Sequence, residues 1–63
     1  MYPPHPYVLK IRPCTEHVGR YRWEILDSDG LLDTSFESFA TKQEAEEDGQ
    51  REMKSLVEIW NKL

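Results

Sequence analysis

The sequence lacks a second cysteine. Cys14 stands alone, so no disulfide within the chain can staple the fold. It lacks the run of about 18 apolar residues that a membrane-spanning helix needs, and a basic start followed by an apolar stretch is also missing. The expectation is therefore a soluble, cytoplasmic protein with no membrane partner. Only three glycines are present, and no glycine-rich phosphate loop can be built from them. An excess of cations is missing too: 8 Lys and Arg stand against 12 Asp and Glu, a net charge of −4. That balance weakens long-range attraction for nucleic acid or an anionic membrane and disfavours both as partners.

What is present is short. The 63 residues make one domain at most. A chain of that length buries only about 60% of the surface it exposes when unfolded, so its core is small. Without disulfides, a small core is commonly completed by self-association. A homodimer, or binding to an unknown protein partner, is the expectation.

Residues 1–6, "MYPPHP", hold three of the four prolines. Proline fixes φ and removes a backbone donor, which predicts a flexible proline-rich leader before a single domain over 7–63. "YVLKIR" (7–12) alternates, with Tyr7, Leu9 and Ile11 on one face, the period of a half-buried strand. "RYRWEIL" (20–26) alternates likewise, placing Tyr21, Trp23 and Ile25 inward. "LLDTSFESF" (31–39) predicts a third strand with Leu32, Thr34 and Phe36 inward. The last third predicts a helix. Thr41 and Glu44 form a Thr-x-x-Glu capping box, and Ala45, Gly49, Met53, Leu56, Trp60 and Leu63 recur as one stripe, flanked by Val57 and Ile59. Glycine inside a helix costs about 1 kcal/mol against alanine, so Gly49 predicts a close approach to a bulky side chain, with Trp23 the expected neighbour. The fold class is α+β: a three-stranded antiparallel meander with one C-terminal helix on one face, β-β-β-α.

"DSDG" (27–30) has calcium-loop chemistry and hairpin-turn chemistry at once. An EF-hand loop with Gly30 at its sixth position would need ligands at Ile25 and Phe36, the first and twelfth positions, and neither side chain can coordinate. As a four-residue hairpin loop it sets Leu26 opposite Leu31, so opposed residue numbers sum to 57. Ile25 then meets Leu32, Trp23 meets Thr34 and Tyr21 meets Phe36. The first strand, paired with sums of 32, sets Ile11 beside Tyr21 and Leu9 beside Trp23. On the outer face this arrangement puts Arg12 beside Arg20, with Glu37 also opposite Arg20, Lys10 beside Arg22, and Glu24 facing Asp33. Lys10, Arg12, Arg20 and Arg22 are thus the candidate surface for an anion or a partner, since like charges set opposite one another destabilise a pair. Val8, Leu26 and Leu31 remain apolar on the same face.

Chemistry beyond binding finds few residues. Cys14 and His17 in "CTEH" have the spacing of half a zinc site, with His5 a conceivable third ligand, but a fourth has no spacing signature. A Cys–His catalytic pair there lacks an orienting group. Pro3 and Pro6 form a minimal PxxP ligand. No catalytic residue, metal or cofactor is assigned, and a chain this small has little room for a substrate cleft.

Two resemblances complete the reading. "GRYRWEIL", then "DG", Ser35 and "FATKQEA" resembles the uncharacterised bacterial YegP-like family over residues 19–49. It implies a small sheet-and-helix fold, often duplicated or dimeric, with no assigned activity. "WEI" and the FxTxxxA spacing of Phe39, Thr41 and Ala45 are similar to the DNA-binding domains of the plant ethylene-response-factor and integrase arm type. That likeness implies an open sheet face in a DNA groove, with Lys10, Arg12, Arg20 and Arg22 at the DNA. The leading expectation is a non-catalytic, self-associating interaction domain, and the alternative is a nucleic-acid-binding module using the basic end of the sheet.

Overall fold

The computed structural model describes residues 5–62; the leader's first four residues and Leu63 lie outside them. The chain forms β1 (Val8–Pro13), β2 (Tyr21–Asp27), β3 (Gly30–Thr34) and α1 (Lys42–Lys62). The strands make one antiparallel sheet in the order β1-β2-β3, followed by the helix, the expected β-β-β-α fold. His5 and Pro6, assigned to the leader, are half-buried. His5 stacks on Tyr7 at 5.7 Å, and Tyr7 meets Trp60 edge-on at 6.2 Å.

The β2–β3 hairpin closes where expected. Asp27 pairs with Gly30 and Leu26 with Leu31. The Asp29 N–H donates to Asp27 Oδ1 at 2.8 Å, the side-chain turn that makes Asp a turn former. Gly30 has φ +119°, with open space where a Cβ would stand. Its requirement is conformational rather than steric. Gly30→Ala should therefore cost about 1 kcal/mol through backbone strain alone, read from urea denaturation midpoints at unchanged m-value.

Beyond Leu26 the expected register fails. A β-bulge at Leu32 shifts the pairing by one, so that Ile25 opposes Asp33 and Glu24 opposes Thr34. The physical reason is that α1 packs on β1 and β2 but not on β3. The inner face of β3 is uncovered, so Asp33 opposite Ile25 buries no charge and the hydrophobic pattern does not fix the register there. Side-chain bonds fix it instead. The buried Ser35 donates its N–H to the Trp23 carbonyl at 3.0 Å, and its Oγ accepts the Trp23 N–H at 3.3 Å. Thr34 Oγ1 also donates to the Trp23 carbonyl, at 3.0 Å. Tyr21 accordingly pairs with Phe39 rather than Phe36, with reciprocal bonds of 2.8 and 2.7 Å. Phe36 is thrown out to solvent, 95% exposed.

β1 is shifted by two residues from expectation: Leu9 pairs with Ile25 and Ile11 with Trp23. Loop closure decides this. The Cys14 N–H donates to the Arg20 carbonyl at 2.8 Å, and the Arg20 N–H to the His17 carbonyl at 3.2 Å, across a turn with Gly19 at φ +85°. Because side chains alternate with period two, a shift of two changes every partner yet keeps every face.

The helix starts at Thr41 as expected. Glu44 N–H donates to Thr41 Oγ1 at 3.1 Å, and that hydroxyl donates to Glu44 Oε1 at 3.2 Å. Ala45 and Gly49 are buried, and Met53, Leu56, Val57 and Trp60 are half-buried. The buried apolar core of the described residues is Cys14, Trp23, Ile25 and Ala45. Phe39, Thr41 and Ala45, the FxTxxxA residues, are the sheet-closing bridge, the helix cap and the first buried helical alanine.

Candidate functional site on the outer sheet face

On the face away from α1, the observed register arranges side chains in three rows. Val8, Leu26 and Leu31 form an apolar row at the hairpin end. Next, Lys10 faces Glu24, which faces Thr34. Third, Arg12 faces Arg22. The expected pairs Arg12–Arg20 and Lys10–Arg22 are corrected by the two-residue shift, and Glu24 opposes Thr34 rather than Asp33. Of the four candidate cations, Arg12 and Arg22 are brought together, while Lys10 lies opposite a carboxylate.

Arg20 stands apart and has a structural task. Its Nε donates to Ser38 Oγ at 2.8 Å and its Nη2 to the Ser38 carbonyl at 2.7 Å, clamping the loop that ejects Phe36. Ser38, not Glu37, is therefore the partner of Arg20.

Arg12 Nε donates to Glu24 Oε1 at 3.2 Å. Arg22 is half-buried, and its Nε is buried without an acceptor. An open depression of about 490 Å³ lies over this pair, bounded by Arg12, Arg22 and Glu24 from the sheet. Pro13, Thr15 and Glu16 close it from the β1–β2 loop, and Thr34 from β3. Sequence reasoning passed over Thr15, whose spacing carries no signal, and placed Thr34 on the inner face opposite Trp23; the bulge sets it opposite Glu24 on the outer face instead.

Cys14 is buried next to this depression, between Pro13 and Thr15. Burial disfavours its thiolate. The N–H groups of His17 and Glu16, with the charge and a side-chain hydrogen bond of Arg22, outweigh that and hold the thiol below its ordinary pKa. His17 meets Cys14 only through its backbone in this arrangement, and His5 lies against Tyr7 beyond the far end of β1. The three are not gathered into one site, and no group of three or more His, Cys, Asp or Glu suited to a metal occurs among the described residues. Neither histidine lines the depression.

No family model, no curated protein and no solved structure matches this chain. No helix among the described residues is long and apolar enough to cross a membrane.

Proposed function

We propose that this chain is a small non-catalytic interaction domain of the cytoplasm that assembles with a second copy of itself through the β3 side of its sheet. The observation that carries the reading is the apolar surface there. Leu31 and Leu32 are 59% and 46% exposed, and Leu31 continues the Val8–Leu26 row across the outer face. Only four apolar side chains are buried among the described residues. A core of that size gains much from further burial.

The two sheet edges differ in a way that supports β3 as the contact. β1 carries Lys10, Arg12 and Pro13, the charges and proline that discourage strand addition. β3 carries two leucines, a single Asp33 and no helix cover. Pairing β3 with its copy would satisfy edge backbone groups and bury the leucines together.

Sedimentation equilibrium from micromolar to millimolar protein should show a concentration-dependent dimer. Leu31→Lys, at an exposed position, should retain the fold and weaken the dimer by about tenfold or more, since each leucine buried contributes about 1.5–3 kcal/mol. A monomer throughout that range, or an unchanged dimer in Leu31→Lys, would count against the proposal.

A further inference from the structure

We propose that the depression over Arg12 and Arg22 binds the phosphate group of a small phosphomonoester. This inference does not rest on self-association, although Thr34 at the end of the β3 edge also borders the depression. Arg12 and Arg22 are direct partners across β1 and β2, so their side chains leave neighbouring positions on one face, and both border the depression. Like charges so placed repel unless an anion lies between them. Glu24 occupies the Nε of Arg12 alone. Arg22 makes no ion pair with a carboxylate among the described residues; its side chain bonds the Cys14 thiol, which does not neutralise its charge unless the thiol ionises. Two arginines at the wall of one depression, only one of them paired with a carboxylate, are an arrangement an oxyanion can bridge, because phosphate oxygens match the fork of a guanidinium.

The surroundings narrow the ligand. Thr15 and Thr34 border the depression, and their hydroxyls are suited to a phosphate or an ester oxygen. Its volume of about 490 Å³ falls within the range of small-molecule sites and exceeds what a bare phosphate fills. Glu16 and Glu24 also border it, which disfavours a polyanion and suits an ester whose remainder is polar or carries an ammonium group. The acidic chain as a whole repels a polynucleotide for the same reason.

The test is a titration of the full chain with phosphoethanolamine and with inorganic phosphate at constant ionic strength. It is followed by the amide resonances of Thr15 and Arg22 and the Nε–H resonances of the arginines. Saturable shifts confined to Arg12, Thr15, Arg22 and Thr34 are expected. Arg22→Gln should weaken binding by about tenfold or more, and Lys10→Gln, outside the depression, should leave it unchanged. Arg12→Gln serves the same purpose if Arg22→Gln loses its dispersed spectrum. Three results overturn the proposal: no saturable shift with either probe, wild-type affinity in both arginine variants, or shifts produced by a single-stranded oligonucleotide but by neither probe.

Discussion

Gly49→Val is expected to abolish stable folding, and Gly49→Ala to lose about 1–3 kcal/mol even though alanine is the better helix former. A Cβ at residue 49 would stand 2.7 Å from Leu9 Cδ1, 2.9 Å from Trp23 Cγ and 3.1 Å from Trp23 Cβ. Carbon atoms rest at about 3.5–4.0 Å, so every one of these contacts is repulsive. Leu9 can turn its terminal methyl away. Trp23 cannot follow, because its Cβ is carried by the central strand and its indole Nε1 is bonded to Asp48 Oδ2 at 2.8 Å.

The helix would have to lift, and with it the cover over Ile25, which is fully buried. A propensity gain of about 1 kcal/mol does not offset that loss of packing. Urea denaturation followed by tryptophan fluorescence measures the effect directly. Equal or higher stability in Gly49→Ala would show that the helix and β2 are not in close contact at this point.

Asp48→Ala should destabilise the chain by about 1–3 kcal/mol, because it leaves the indole N–H of a buried tryptophan without an acceptor. Asp48 joins two partners: Oδ2 accepts from Trp23 Nε1 and Oδ1 from Arg51 Nη2, both at 2.8 Å. These bonds favour the carboxylate, Trp23 first and Arg51 next, and they hold its pKa below the ordinary Asp value against a smaller opposing effect of burial. A depressed folded-state pKa fixes the sign of the pH dependence. The contribution is present in full above the unfolded pKa of about 3.9 and is lost as pH falls through the lower folded value.

Asp48→Asn separates the two effects. The amide oxygen can still accept the indole N–H, so the loss near neutral pH should be smaller than for alanine. The gap between wild type and Asp48→Asn should then narrow as the medium is acidified below about pH 4. Denaturation midpoints collected across that range test this. A gap that widens toward acid would mean that the carboxylate is not the form stabilised by folding.

Asp48 also illustrates how far the chain could be read in advance. Along the sequence it is one of several acids near a helix start, and nothing local distinguishes it from Glu46 or Glu47. Only when α1 lies across β2 does it come beneath the indole, 25 positions away. Gly49 was more legible: an unfavourable residue inside a helix signals a close neighbour, and Trp23 is that neighbour.

The sequence by itself determined the order and type of the elements, the hairpin at Ser28–Asp29, the helix cap, and which side chains of β1 and β2 face the helix. Those are written in periods of two and of three to four residues, in turn residues and in capping residues, all of them local signals. Register beyond the hairpin turn was decided by tertiary contacts. The β1 pairing depends on where the Cys14–Arg20 loop closes, and the β3 pairing on Ser35 and Thr34 bonding to Trp23 once the helix leaves β3 uncovered. Faces survive a two-residue slip and partners do not. Arg12 and Arg22 were therefore predictable as outward cations, whereas their pairing with each other, and the depression they share with Thr15 and Thr34, followed from the way the loop and the bulge bring distant backbone together.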